Sequence, residues 1–142
     1  MADPEFKSPA EFREVMDRVF TLMSDDPDMG PKLRDADVPQ RFEFTDVDMV
    51  VNIRAAGDGE DGNLHWEWTD DIGWEPKVRM AMSSETANRY FQGKENVAMA
   101  IARRRIKAGG DVKAALSLIP VTKPIYGRYA ALVDAEYPHL RV

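Results

Sequence analysis

The N-terminal part of the chain carries the apolar spacing of a helix. Ser8-Pro9-Ala10-Glu11 combines a Ser N-cap, a Pro at the first helical position and a Glu that can complete a capping box. Apolar residues then recur at intervals of three and four, which predicts one buried helix face: Phe12, Val15, Met16, Val19, Phe20 and Met23. Asp25-Asp26-Pro27 ends this pattern, and we interpret residues 29–39 as an irregular connector that holds at most a short helix.

From Gln40 onward the apolar period changes to two, which is typical of strands with one buried face. Four such segments follow, with these alternating residues: Phe42 and Phe44; Met49, Val51 and Ile53; Leu64, Trp66 and Trp68; Val78, Met80 and Met82. The segment Gly57–Asn63 has the composition of a hairpin loop. Because alternate side chains point to opposite faces, we expect Trp66 and Trp68 to face the core, and His65 and Glu67 to face outward.

The C-terminal half returns to helical spacing. Ser83 can cap a helix that reaches Phe91, and Asn96–Arg104 predicts another helix. Residues 106–110 form a short, glycine-ended segment typical of an edge strand, and Asp111 can cap a further helix. The order of elements predicts an α+β fold, in which helices cover one face of a mostly antiparallel sheet.

Composition favours a single domain over residues 1–142, since 44% of the residues are apolar and no cysteine is present to form disulfides. We expect residues 1–7 to be flexible or added for expression. The absence of cysteine and of a secretory signal pattern leads us to expect a cytoplasmic protein. A net charge of −6 disfavours nucleic acid as a partner, because a phosphate backbone would be repelled.

The sequence predicts no catalytic residue, no cofactor and no metal site. His65 and His139 are the only histidines, and they are not spaced as a metal-binding or catalytic pair. The glycines of Gly57–Gly62 match a dinucleotide-binding spacing, but the loop is acidic and precedes a strand, so we interpret it as a turn. An alternative is an enzyme that acts on a lipid-like substrate through Glu67 or Asp70, with burial raising the pKa of that carboxyl.

One basic cluster, formed by Arg103, Arg104, Arg105 and Lys107, follows the predicted helix at Asn96–Arg104. Cations at a helix C-terminus complement its dipole, which explains the cluster structurally. Basic side chains also attract anionic lipid headgroups. We therefore keep transient membrane-surface contact through these four residues as a second interpretation.

Several segments resemble the sterol carrier protein 2 family. Met80–Thr86 is similar to the strand-into-helix segment of that family, and Phe91-Gln92-Gly93-Lys94 is similar to its helix end. The segment Ala98–Arg104, the strand Ile106–Gly110 and the helix that starts after Asp111 resemble its helix, short strand and following helix. The chain is thus identified as resembling a stand-alone member of this family.

The resemblance implies a helix-covered sheet that encloses an apolar cavity or tunnel for fatty acyl chains, sterols or similar lipids. The ligand-binding positions that it implies are Met80, Met82, Phe91, Ile101, Leu116 and Ile119. The apolar spacing adds Phe20, Phe44, Trp66 and Tyr129. Bulky Trp66 and Trp68 could narrow the tunnel and favour one acyl chain over a sterol. The alternative to a carrier is an interaction or accessory module whose core is filled.

Overall fold

The computed structural model describes residues 5–142, and it has the α+β architecture that the sequence predicts. The helices are α1 (Pro9–Asp25), α2 (Met29–Ala36), α3 (Ser84–Phe91), α4 (Val97–Ala102), α5 (Val112–Ser117), α6 (Ile119–Thr122) and α7 (Ile125–Glu136), followed by a 3₁₀ helix at Pro138–Leu140. The strands are β1 (Gln40–Phe44), β2 (Met49–Ala55), β3 (Leu64–Glu67), β4 (Val78–Met82) and β5 (Lys107–Gly110).

The five strands form one sheet in the order β3-β2-β1-β4-β5. Three neighbouring pairs are antiparallel, whereas β1 and β4, at the centre, are parallel, with Phe42 opposite Met80. The prediction of a mostly antiparallel sheet is therefore confirmed. The parallel pairing of β1 with β4 was not predicted. Alternation of apolar residues cannot distinguish strand directions, because parallel and antiparallel strands alike can bury every second residue.

The face of the sheet that packs against the helices, here called the inner face, carries the apolar residues. Across the strands the register aligns Ile53 with Trp66, Phe42 with Val51, and Phe44 with Met82. Helix α1 lies against this face and buries all six residues of its predicted stripe. The opposite, outer face carries charged side chains, including Arg41, Glu43, Arg54, His65, Glu67 and Arg79.

Local capping explains where the helices begin. The Ser8 hydroxyl accepts from the Glu11 N–H, the Ser83 hydroxyl from the Thr86 N–H, and the Asp111 carboxylate from the Ala114 N–H. The expected connector holds the short helix α2 at Met29–Ala36, and only residues 37–39 are irregular. The Asp26 carboxylate accepts from the N–H groups at the start of α2, which stabilises a helix that its Gly and Pro would disfavour.

The C-terminal residues are tied to the domain by a buried polar network. The Leu140 carbonyl accepts from Asn88 Nδ2 at 2.9 Å and from Gln92 Nε2 at 2.7 Å. The Tyr129 hydroxyl donates to Asn88 Oδ1 at 2.7 Å. The Asn88 side-chain amide thus joins α3 to α7 and to the 3₁₀ helix. This network fixes α3 and α7 against each other.

Near the N-terminus, Phe6 packs edge to face on Phe12 with ring centroids 4.9 Å apart. Of the segment 1–7, residues 1–4 lie outside the described residues. Among residues 5–142, none of the helices is long and apolar enough to cross a bilayer.

Candidate ligand cavity

An apolar cavity of about 110 Å³ lies between the inner face of the sheet and helices α1 to α6. It crosses the sheet from β2 and β3 to the segment that leads into β5. Its lining residues are Phe20, Met23, Leu33, Val38, Gln40, Phe42, Phe44, Ile53, Arg54, Ala55, Leu64, Met80, Met82, Ala87, Tyr90, Phe91, Val97, Ile106, Ala115, Leu118, Ile119 and Thr122. Most of these side chains are apolar, as expected of a site that binds a hydrophobic molecule.

Four of the lining residues are polar, and only one of them carries a charge. Gln40 lies at the start of β1, whereas Tyr90 and Thr122 lie together between α3 and α6. Arg54 alternates with Ile53 and therefore directs its side chain to the outer face. There its guanidinium donates to both carboxylate oxygens of Glu60, at 2.7 and 3.0 Å. The arginine charge is thus bound outside the cavity.

Tyr90 and Thr122 form the polar end of the cavity. The two hydroxyl oxygens are 3.4 Å apart, which is longer than an ordinary hydroxyl hydrogen bond. Burial raises the pKa of Tyr90 to about 12, so its phenol keeps its proton at neutral pH. The ring is held edge to face between Phe91 and Tyr126, with centroids 5.1 and 5.8 Å away. The cavity lining therefore includes an oriented, uncharged phenol.

Six of the ten predicted ligand-binding residues line this cavity: Phe20, Phe44, Met80, Met82, Phe91 and Ile119. The other four do not. Tyr129 is fully buried, with its ring 5.9 Å from that of Phe91, whereas Ile101, Leu116 and Trp66 are half-buried and pack against the core elsewhere. The role of the six residues in ligand binding remains a prediction.

The two tryptophans of the β3 region face the helices, as predicted, but they do not narrow the cavity. Trp66 and Trp68 pack around Phe20, with ring centroids 5.6 and 6.3 Å away. Both indole N–H groups donate to one oxygen of Asp17 in α1, at 3.0 and 2.6 Å. They therefore anchor α1 to the sheet.

The sequence does not predict the polar end of the cavity, which Tyr90 and Thr122 form. Tyr90 precedes Phe91 in a helix whose other face is polar, and Thr122 is a buried hydroxyl in a mostly apolar segment. Helical spacing places Tyr90 beside Ala87 and Phe91, whereas no pattern singles out Thr122. It does not show that α3 and α6 bring the two hydroxyls together, because the contact joins residues 32 positions apart.

The two carboxylates of the enzyme hypothesis lie away from the cavity, on the solvent side of the sheet. Glu67 contacts His65 at 3.1 Å, and its side chain is 44% exposed. Asp70 pairs with Arg41, and its side chain is 75% exposed. Both carboxyl groups are therefore exposed, whereas the enzyme hypothesis requires a buried one.

The basic cluster lies in the turn between α4 and β5. Arg105 donates to Glu95 at 2.6 Å, and Arg89 lies 3.5 Å from the same carboxylate. Arg103, Arg104 and Lys107 are exposed and form no salt bridge with any residue in 5–142. The cluster therefore presents free positive charge on a chain whose net charge is negative.

Comparison with solved structures finds the same fold in sterol carrier protein 2 domains. Sterol carrier protein 2 from Yarrowia lipolytica is 12% identical, with a TM-score of 0.56 over 87% of this chain and 97% of that one. A structure described as UbiJ-SCP2, a ubiquinone synthesis protein, is 8% identical, with a TM-score of 0.60 over 82% of this chain and 96% of that one. The chain thus has the sterol carrier protein 2 fold, and these likenesses span nearly the whole of each domain.

The same fold also occurs as part of a larger enzyme. The stereoselective inverting sec-alkylsulfatase Pisa1 from Pseudomonas sp. is 18% identical, with a TM-score of 0.57 over 79% of this chain. The chain spans 16% of the length of that enzyme, so the match concerns one portion of it. Neither family models nor curated proteins match the sequence. The structural likenesses establish the fold.

Proposed function

We propose that this protein binds and carries a lipid or other apolar molecule, such as a fatty acyl chain or a sterol-like compound, without catalysing a reaction. The observation that carries the proposal is the cavity between the inner face and the helices, whose lining is mostly apolar. Burying ligand surface there would contribute about 25 cal/mol per Å². The fold, which the Yarrowia carrier shares, supports the same conclusion.

The cavity must widen when a ligand enters. Its volume of about 110 Å³ is below the roughly 150 Å³ of an engineered protein cavity that accepts benzene. Met23, Met80 and Met82 line it, and the unbranched side chain of methionine adapts to different shapes. Ligand binding would therefore repack these side chains while the sheet remains in place.

The other two functions have less support. A lipid-modifying enzyme would need Glu67 or Asp70 near the bound molecule, and both face solvent beyond the sheet. An interaction module with a filled core would not contain such a cavity. The experiment below distinguishes the module from the carrier, because only the carrier binds apolar probes.

A matched pair of substitutions tests the carrier. Ala87 and Ala100 are both buried helix residues, but only Ala87 lines the cavity. We expect Ala87→Leu to fill the cavity and weaken binding of the neutral fluorescent probe N-phenyl-1-naphthylamine at least tenfold, or about 1.4 kcal/mol. Ala100→Leu should overpack the core, with a cost of about 1–3 kcal/mol in unfolding free energy, and leave probe binding within twofold.

The measurements are fluorescence titration and urea unfolding of both variants beside the unmodified protein. If both variants lost probe binding equally, the loss would be due to lower protein stability and not to filling of the cavity. If the unmodified protein binds neither this probe nor sterol and acyl-chain probes, the carrier function is wrong and the module is favoured.

Contact with an anionic membrane surface is the second part of the proposal, because a carrier must meet the source of its ligand. Arg103, Arg104 and Lys107 are exposed and form no salt bridge within residues 5–142. Met99, the exposed large apolar residue within the described chain at 44% exposure, lies in the helix just before them. Ile106, within the same segment, lines the cavity. A membrane bound here would lie close to one wall of the ligand site.

A further inference from the structure

The cavity offers a bound molecule no free charge, and this limits the chemistry of its ligand. Its uncharged polar groups are the Gln40 amide and the hydroxyls of Tyr90 and Thr122. The only charged lining residue, Arg54, is held on the outer face by two hydrogen bonds to Glu60. A carboxylate inside the cavity would therefore lose its hydration without gaining a counter-ion, which is strongly unfavourable.

The hydroxyl of Tyr90 is weakly bound by its neighbours in the described structure. Its contact with Thr122 is long, at 3.4 Å, while the Thr122 hydroxyl lies 3.2 and 3.3 Å from the backbone carbonyls of Leu118 and Ile119. Thr122 can thus donate to its own helix. Within residues 5–142 the Tyr90 hydroxyl makes no hydrogen bond shorter than this 3.4 Å contact, although the Tyr126 side chain lies near enough to raise the pKa of Tyr90 as well. Buried hydroxyl donors ordinarily have better partners.

We propose that the cavity selects uncharged lipids that carry an accepting oxygen, such as alcohols, esters or ketones, and that the Tyr90 hydroxyl donates a hydrogen bond to that oxygen. The apolar remainder of the ligand lies along the inner face of the sheet, between Met80 and Met82 on one side and the helices on the other. This inference rests on the proposed carrier function, and it adds the class of ligand and the residue that recognises it.

The first test compares 1-octanol with octanoate at pH 7.5, by displacement of N-phenyl-1-naphthylamine from the unmodified protein. The two probes share an alkyl chain and differ at the head. We expect 1-octanol to bind at least tenfold more tightly. Lowering the pH toward the pKa of octanoic acid should narrow the difference, since the protonated acid is uncharged. Octanoate that binds as tightly as 1-octanol at pH 7.5 would overturn the selection.

The second test is Tyr90→Phe, with Tyr126→Phe as the matched control. Tyr126 packs against Tyr90 but does not line the cavity, so both variants lose one hydroxyl from the same aromatic cluster. Loss of a neutral hydrogen bond should weaken 1-octanol binding about threefold to tenfold in Tyr90→Phe and leave it unchanged in Tyr126→Phe. Binding of the fluorescent probe, which lacks an oxygen, should change in neither variant.

The outcomes separate the two proposals. If Tyr90→Phe binds 1-octanol as the control does, the assignment of Tyr90 is wrong although the carrier function stands. If no probe binds to the unmodified protein, the carrier function fails and this inference fails with it. The comparison of 1-octanol with octanoate uses the unmodified protein. It therefore tests the preference for uncharged ligands even if a variant fails to fold.

Discussion

At the scale of single residues, one carboxylate oxygen of Asp17 accepts from the indole N–H groups of both Trp66 and Trp68. Hydrogen bonds to a charged group contribute about 1.5–3 kcal/mol each, and the two indoles here are only half-buried. We expect Asp17→Ala to lower the unfolding free energy by about 2 kcal/mol in urea. Asp17→Asn keeps an acceptor and should cost about half as much. A loss below about 0.5 kcal/mol in Asp17→Ala would mean that apolar packing alone holds α1 in place.

The sequence predicts which face of the β3 region Trp66 and Trp68 occupy, but not that they share a partner on α1. Strand alternation places the indoles toward the helices without any long-range information. Their contact with Asp17 joins residues about 50 positions apart, and the α1 pattern assigns Asp17 to a charged face that would ordinarily meet solvent. Similarly, apolar spacing places Ile101 and Leu116 on apolar helix faces, but it cannot say which residues on such faces line a cavity.

At the scale of elements, the end of β5 depends on a glycine. Gly110 has a φ of +75°, and a Cβ there would lie 2.4 Å from the backbone oxygen of Lys77. The neighbouring Gly109 has neither constraint, since a Cβ there would meet nothing within 4 Å. We expect Gly110→Ala to lower the unfolding free energy by about 2–4 kcal/mol, because the left-handed conformation and the backbone contact both oppose a side chain. Gly109→Ala should remain within about 1 kcal/mol of the unmodified protein.

Thermal and urea unfolding of both glycine variants provide the measurement. Similar stabilities would show that β5 can shift away from Lys77 and that its pairing with β4 contributes little. The sequence predicts this edge strand from its glycine-ended pattern. It predicts α2 poorly, because a short segment with Gly30 and Pro31 has low helix propensity and is stabilised by the carboxylate of Asp26, outside the helix.

At the scale of the whole molecule, charge is unevenly distributed. The chain carries a net charge of −6, yet residues 103–107 contain four basic side chains and no acidic one. We expect binding to phosphatidylcholine vesicles only when they also contain phosphatidylserine, and release as salt is added. Changing Arg103, Arg104 and Lys107 to Gln should weaken this binding about 100-fold, at about 1 kcal/mol for each residue.

The control for the vesicle experiment changes Lys7, Lys32 and Arg34 to Gln, which removes the same charge from the other end of the chain. Lys32 and Arg34 pair with Asp28 and Asp58, so little attraction to lipid should be lost. Equal weakening in the two triple variants would point to overall charge and not to the turn between α4 and β5. Probe binding in solution should be unaffected in both, since none of the six residues lines the cavity.

The two outermost strands, β3 and β5, are each only four residues long, and this bears on aggregation. An exposed strand edge is a template on which a second chain can add strands. Here β5 presents Lys107 and ends in two glycines, and neither edge is long enough to hold a partner by more than a few backbone hydrogen bonds. A carrier whose cavity must widen to admit a ligand would expose apolar lining residues while it does so. With both edges so short, such an opening would not lead to growth of the sheet from one molecule into the next.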